Sequence, residues 1–258
     1  IAGRIYNGNG TAANPIVFQK SGTGANPVIT AAHPGVSTRD AIIALVSATC
    51  VTFDGIDLQE NPQNIGIAIS QTEIAYGIMK ASENSGSHHI TIQNCDISLH
   101  YNTVIESYAI YQRHVLPEAG TGYIWPTAVE GTHSYNTYSG LTISNCTNGI
   151  YLGGYNDSAP YSLYDQNNTV TGNTVTLMGA LNTNAYTYGV YVQNTNNVTV
   201  TNNAINGIVS LGNVMGIAID GNAINAEFSY NTFTLNYTGE TRVWAIYARD
   251  VAEGTDNL

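Results

Sequence analysis

The residues of this chain best suited to acid–base chemistry are gathered in one stretch, residues 112–138. Carboxyl and imidazole groups can give or take a proton at a reacting bond, and long loops on a rigid scaffold often carry functional sites. If the chain is an enzyme, we expect its catalytic groups among Arg113, His114, Glu118, Glu130 and His133. The alternative is a loop that packs on the scaffold without chemistry.

Two other groups of polar residues are weaker candidates. Asp54 and Asp57 could form the carboxyl pair of a glycosidase, but their place at a tight turn favours hydrogen bonds to the backbone. His88 and His89 could bind a metal, but adjacent strand residues point to opposite faces and cannot easily share one ion. No motif indicates a metal or another cofactor, and calcium is left open.

Tyrosines recur at one position of successive repeats. Each follows an aliphatic residue that should point inward, so strand alternation should turn the tyrosine outward. We expect a ligand-binding strip along one face, with an indole of the 112–138 stretch beside it: Tyr111, Tyr151, Tyr191, Tyr247 and Trp125. Aromatic faces stack on sugar rings, and the low charge favours a neutral glycan. Alternatively, the stacked rings simply support strand pairing.

The elements that would position these residues are short repeated strands. Residues 197–205 read NVTVTNNAI and residues 226–233 read AEFSYNTF, with similar units earlier in the chain. Each unit holds β-branched strands of period two separated by Asn/Gly turns, and unit length varies only at the turns. This indicates an all-β solenoid of six to seven parallel coils. An antiparallel sandwich is the rival fold.

Aligning the units predicts one corner column, in which side chains of successive coils stack about 4.8 Å apart. An inward Asn at a sharp turn can bond the backbone and its own copies, and Cys is small enough to continue the column. The predicted structural ladder consists of Cys95, Cys146, Asn173, Asn203 and Asn231. The three cysteines have no paired spacing, so we expect free thiols.

The pattern resembles the right-handed parallel β-helix repeat superfamily, the pectin lyase-like proteins. The opening segments 10–18 (GTAANPIVF) and 24–31 (GANPVITA) look like the first coils of large secreted or surface proteins of Bacteroidota-type bacteria. The resemblance implies a right-handed parallel β-helix, an architecture that hosts lyases, hydrolases and adhesins alike. The R-x-P-x-x-R motif of pectate lyases and the G-H-G motif of polygalacturonases do not occur in this sequence.

Charge and composition narrow the function classes. Only 7 Lys+Arg stand against 18 Asp+Glu, for a net charge of −11, which argues against nucleic acid and anionic membrane surfaces. The apolar runs are too short to span a bilayer. Asn and Thr, about 30 residues each, supply the neutral polar surface.

These observations favour a non-catalytic segment of a large secreted or cell-surface bacterial protein: a stalk, adhesin or glycan-binding module. The chain begins with Ile1 and ends on what reads as the start of another repeat, so we expect residues 1–258 to be one β-helix domain of a longer parent chain. A polysaccharide or surface glycan is the expected partner. The alternative is a polysaccharide lyase or glycoside hydrolase with its site near the 112–138 insertion.

Overall fold

Short runs of β-branched and aliphatic residues, separated by Asn and Gly turns, form three parallel sheets. The computed structural model describes residues 3–33, 40–64, 72–100, 106–117, 122–177, 186–207, 212–236 and 242–249. Positive-φ residues such as Asn94, Asn167 and Asn202 stand at the turns, where the short polar side chain tolerates a left-handed backbone.

The first sheet has the longest strands. Its strands follow one another along the coil axis in the order β1 (Gly3–Tyr6), β4 (Ala41–Val46), β7 (Ile74–Met79), β10 (Tyr108–Arg113), β13 (Asn148–Gly153), β17 (Tyr186–Asn196), β20 (Asn213–Ile224) and β23 (Val243–Arg249). A two-residue strand, β14 (Asp165–Gln166), also pairs with β17.

The second and third sheets have seven strands each. The second contains β2 (Ile16–Gln19), β5 (Val51–Asp54), β8 (Thr91–Gln93), β11 (Thr137–Ser139), β15 (Thr169–Thr171), β18 (Thr199–Thr201) and β21 (Glu227–Ser229). The third contains β3 (Val28–Thr30), β6 (Asp57–Gln59), β9 (Asp96–Ser98), β12 (Thr142–Cys146), β16 (Thr174–Leu177), β19 (Ala204–Gly207) and β22 (Thr232–Leu235).

The chain visits the three sheets in turn, which makes the molecule a parallel β-helix. Seven coils contribute a strand to each sheet, and β23 adds an eighth strand to the first sheet. The prediction of six to seven parallel coils is therefore confirmed. Among the residues that the structure describes, the helical part is a 3-10 turn at Val129–Gly131, and no described helix has the length and apolar character needed to cross a membrane.

The core is built from columns of aliphatic side chains inside the coil. In the third sheet, Ile97, Ile143, Val175 and Ile205 stack in register and are fully buried. Burying one such side chain stabilises the fold by about 1.5–3 kcal/mol. Each coil covers its neighbour's column, so the core is continuous along the axis.

The predicted asparagine ladder occupies the corner between the second and third sheets. The backbone N–H of Asn173 donates to Oδ1 of Asn203 at 3.1 Å, and that of Asn203 donates to Oδ1 of Asn231 at 3.0 Å. Cys95 precedes Asp96, which pairs with Thr142, and so belongs to the same column. Each Asn thus satisfies buried donors of the coil beside it.

The placement of Cys146 in this ladder is wrong. The alternation in residues 141–145 matches the second-sheet strands, but this segment belongs to β12 of the third sheet, and Leu141 takes the ladder position. Cys146 instead lies at the end of β12, where it pairs with Leu177 at the end of β16. The second-sheet and third-sheet strands of a coil alternate with the same period, so the sequence pattern could not distinguish one from the other. Cys50, Cys95 and Cys146 are free thiols, as predicted.

A second asparagine column, missed in the sequence, lies at the corner before the second sheet. The backbone N–H of Ile90 donates to Oδ1 of Asn136 at 2.9 Å, and that of Asn136 donates to Oδ1 of Asn168 at 2.9 Å. The signal was available, because each Asn directly precedes the Thr that opens a second-sheet strand.

Candidate functional site

The predicted acid–base residues do not form one site. Residues 114–136 connect β10 with β11, while Gln112 and Tyr138, the ends of the predicted insertion, lie in strands. His114 and His133 come together, with their ring centres 4.7 Å apart, and both are fully buried. Arg113 points to the opposite face, Glu130 is exposed, and Glu118 lies outside the described residues.

The two histidines belong to a buried polar network organised by Asp165, which the sequence did not single out. One carboxylate oxygen of Asp165 accepts from Nε2 of His114 at 3.0 Å and from the backbone N–H of His133 at 2.7 Å. The other accepts from Nε2 of Gln112 at 3.0 Å. Nothing local marks Asp165, because it follows the exposed turn after β13 and reaches the network only when the coil closes.

The protonation of this network follows from its hydrogen bonds. Nδ1 of His133 accepts from the N–H of Ser87 at 3.0 Å, so its proton is on Nε2, which donates to the Arg113 carbonyl at 3.1 Å. Burial and the neighbouring His114 hold the pKa of His133 well below its usual value. Burial acts to raise the pKa of Asp165, but the charges and hydrogen bonds of His114 and His133 together outweigh burial, and the pKa is lowered.

Lys80, on the preceding coil, lies beside this network. Its ammonium donates to the Gly131 carbonyl at 2.6 Å and to the Glu83 carbonyl at 3.2 Å, and it is fully buried. Burial lowers its pKa to about 8, against the attraction of Asp165. These groups fasten the 114–136 segment to the coil. Because His114, His133 and Asp165 are fully buried, the network has the character of a structural anchor.

The weaker candidates, the aspartate pair 54/57 and the histidine pair 88/89, make structural contacts. Oδ2 of Asp54 accepts from Nε2 of Gln93 at 2.9 Å, and Oδ1 of Asp57 accepts from the N–H of Asp96 at 2.7 Å. His88 bonds the Glu130 carbonyl, and His89 stacks on Tyr135 with ring centres 4.9 Å apart. Within the described ranges, no three His, Cys, Asp or Glu residues are grouped to hold a metal ion.

The predicted tyrosine column exists on the outer face of the first sheet. Tyr111, Tyr151 and Tyr191 pair in register, with ring centres 5.5 Å and then 4.3 Å apart, and the second pair is nearly parallel. The prediction that this strip is exposed is wrong, because the three residues are only 5–7% exposed. Tyr108 and Tyr188 pack against the stacked rings at 4.8–5.6 Å.

Arg113 joins this buried stack to an exposed aromatic cluster. Its guanidinium lies 5.1 Å from the Tyr151 ring centre and 4.9 Å from that of Tyr123, and it donates to both hydroxyls. The Tyr123 and Trp125 rings stack at 4.6 Å with 9° between their planes, and Tyr155 lies 5.2 Å from Trp125. We call Tyr123, Trp125 and Tyr155 the aromatic platform.

The platform is open to solvent, with Tyr123 40% and Trp125 42% exposed. Gly153 makes room for its support, since a Cβ there would lie 2.7 Å from Cε1 of Tyr151 and 3.6 Å from Cδ of Arg113. Trp125 was predicted as a ligand-binding residue from its place in the insertion, whereas Tyr123 and Tyr155 become its partners only through the fold.

No protein-family model matches the chain, and no curated protein sequence matches it. Among solved structures, it is similar to an alginate lyase from Paenibacillus sp. str. FPU-7, with 13% identity over 93% of this chain and 86% of the other and a TM-score of 0.42. It is also similar to a GH136 lacto-N-biosidase from Eubacterium ramulus, with 11% identity over 94% of this chain and 59% of the other and a TM-score of 0.43. Similarity at this level bears on neither activity nor substrate.

Proposed function

We propose that this chain is a non-catalytic carbohydrate-binding β-helix, part of a large secreted or cell-surface bacterial protein. The observation that carries the proposal is the aromatic platform. Two nearly parallel, stacked rings stand open to solvent while a half-buried cation and a packed tyrosine stack hold them in place. Rigid, half-exposed aromatic faces suit the apolar faces of sugar rings, and their hydroxyls can bond to the sugar.

The charge of the molecule favours a neutral glycan over an acidic one. The net charge is −11, and the side chains of the platform are neutral apart from the supporting Arg113. A polyanionic chain would be repelled on approach, most strongly at low ionic strength.

The alternative, a lyase or hydrolase with its site near residues 112–138, finds less support. Of the five residues predicted for it, the two imidazoles are buried in the structural network and Arg113 supports the platform. A catalytic group must reach the substrate, and a buried pair that anchors its own loop is poorly placed for that.

Affinity electrophoresis tests the proposal. Native gels containing xylan, glucomannan, galactan, alginate or pectate would be run with the intact chain, the Tyr123→Ala/Trp125→Ala double variant and the control Tyr230→Asn. Tyr230 is 83% exposed on a turn between the second and third sheets, where Asn tolerates its positive φ.

We expect at least one neutral polysaccharide to retard the intact chain and the control, and the double variant to lose that retardation. Retardation by none of the neutral polymers, or an undiminished effect in the double variant, would overturn the proposal. Release of reducing ends or of unsaturated products absorbing near 235 nm would establish the enzymatic alternative.

A further inference from the structure

A solvent-open groove of about 580 Å³ runs along the corner that follows the first sheet, on the first three coils. Its lining comes from the turns after β1 and β4, from the 84–89 segment and from the 114–136 segment. The residues at its rim are exposed: Asn7, Asn9, Asn84, His89, Val129 and Glu130. The volume lies in the range of about 300–1,000 Å³ that ligand sites occupy. We call this feature the polar groove.

One wall of the polar groove is built by two backbone segments in direct contact. The Glu130 carbonyl accepts from the backbone N–H of Gly86 at 2.7 Å and from Nε2 of His88 at 3.0 Å. A Cβ at Gly86 would lie 1.6 Å from the Thr132 carbonyl oxygen, so the approach requires glycine. A wall fixed in this way loses little conformational entropy when a ligand binds.

The floor of the polar groove is a stacked column along the coil axis. Asn9 pairs with Thr49 and Thr49 with His88, all parallel, so these residues lie on successive coils about 4.8 Å apart. Beside them the Ser47 hydroxyl donates to the Ser85 carbonyl at 2.7 Å. The groove therefore runs parallel to the axis.

The chemistry of the polar groove suits a neutral sugar. Amides carry donors and acceptors together, which match the adjacent hydroxyl groups of a sugar ring. Val129 and the His89 ring, which stacks on Tyr135 at 4.9 Å, add apolar surface for the ring faces. Among the lining residues, all of which the structure describes, none is Lys or Arg, and Glu130 carries a carboxylate. Acidic sugars are therefore disfavoured.

The polar groove and the aromatic platform lie in line along the axis. Strand register places Val46 of β4 and Arg113 of β10 at the same position two coils apart, about 10 Å along the axis. Val46 ends the strand that leads into the groove floor, and Arg113 supports the platform. Between them the Thr127 hydroxyl donates to Oδ1 of Asn84, which joins the segment that carries the platform to the groove rim.

We propose that the polar groove is a second subsite of the aromatic platform, and that the two together bind one linear neutral glycan lying along the coil axis. This inference rests on the proposed carbohydrate-binding function and names the form of its ligand. Once one part of a chain is held on the platform, contact of the next part with the groove is intramolecular and adds affinity. The site therefore selects chains long enough to reach both subsites.

The groove variant is Asn7→Gly/Asn9→Ala, which removes two rim amides. Asn7 has a positive φ that glycine adopts without strain. The matched control, Asn202→Gly/Asn236→Ala, makes the same substitutions at exposed asparagines far along the coil, and Asn202 also has a positive φ. A second groove variant, His89→Asn, removes the ring of the wall and keeps a residue that tolerates the positive φ there.

Isothermal titration calorimetry of the intact chain is the test, with xylo-, manno- and galacto-oligosaccharides of two to eight units and an oligogalacturonate as the acidic probe. Histidine-selective NMR reads the groove directly, because His88 and His89 line it and the chain has 6 histidines in all. The His89→Asn spectrum assigns one of the two signals.

We expect the octamer of at least one neutral series to bind at least tenfold more tightly than its dimer and to shift the His88 and His89 signals. Both groove variants should lose that gain, while the control keeps it. A gain that survives in both groove variants, or unchanged histidine signals at saturation, would overturn the proposal. Tighter binding of the oligogalacturonate would overturn the neutral assignment.

The outcome is separable from that of the proposed function. If the Tyr123→Ala/Trp125→Ala variant loses octamer binding while the groove variants keep it, the groove proposal fails and the platform proposal stands. If the groove variants lose octamer binding while the platform variant keeps both the binding and the histidine shifts, the platform proposal fails and the groove stands. Binding of none of the neutral series overturns both.

Discussion

Replacing Asn203 with Ala measures how much the asparagine ladder contributes to stability. Asn203 is 1% exposed and its amide makes four hydrogen bonds. Oδ1 accepts from the backbone N and Nδ2 of Asn173 at 3.1 Å and 2.9 Å. Nδ2 donates to the Val170 carbonyl at 3.1 Å and to Oδ1 of Asn231 at 2.9 Å. The variant removes all four and leaves the buried backbone N–H of Asn173 without its acceptor.

The expected loss follows from that count. A buried hydrogen bond contributes about 1 kcal/mol net, and an orphaned buried group costs about 1–3 kcal/mol. Four bonds therefore predict that the free energy of unfolding falls by about 4 kcal/mol. For many domains this is a large share of the total.

Urea denaturation followed by far-ultraviolet circular dichroism is the assay, with Asn206→Ala as the control. Asn206 lies in the same strand, β19, but its side chain is only half-buried. Substitutions outside the core usually change stability by about 0.5 kcal/mol or less. The two variants must show equal m-values for their free energies to be compared.

A loss below 1 kcal/mol in Asn203→Ala, or one equal to that of the control, would refute the reasoning. It would mean that water or a relaxed backbone satisfies the ladder donors, and that the aliphatic columns alone hold successive coils in register.

Four further predictions concern buried groups. Asp165→Ala should lower the free energy of unfolding by about 3–5 kcal/mol, because it removes the acceptor of the buried His114 imidazole and of the His133 backbone N–H. Urea titration measures this, and a loss under 1 kcal/mol would contradict the role of Asp165 as an anchor. Tyr151→Ser should cost about 3–5 kcal/mol by emptying the middle of the ring stack; an unchanged melting temperature would argue for a loosely packed outer face. Gly153→Ala should cost about 1–3 kcal/mol, since the new methyl group meets the Tyr151 ring; no loss would show that this ring can shift. Burial and the adjacent Asp40 raise the pKa of Glu73 from 4.5 to about 9. Between these two values the folded state holds a proton that the unfolded state has lost. The free energy of unfolding should therefore fall as the pH rises from about 5 to 9, by up to about 1.4 kcal/mol per pH unit. Glu73→Gln should flatten this part of the profile of unfolding free energy against pH, and an unchanged slope would exclude Glu73 as its source.

The sequence by itself determined the coil. Period-two runs such as residues 197–205, with Asn at the turns, indicated which side chains face inward, and stacking equivalent residues predicted the ladder at Asn173, Asn203 and Asn231. These features are local, so each repeat unit carries the alternation and the turn residue in its own sequence. The same locality explains the error at Cys146, where two strands of one coil carry the same alternation.

The tertiary structure alone decided what the outward side chains meet. Alternation turned Tyr111, Tyr151 and Tyr191 away from the core, but whether neighbours cover them depends on residues from other coils. Asp165 joins His114 across 51 residues, and Tyr155 joins Trp125 across a coil. The burial of these side chains and their shifted pKa values arise from contacts between coils, which a strand pattern along one chain does not contain.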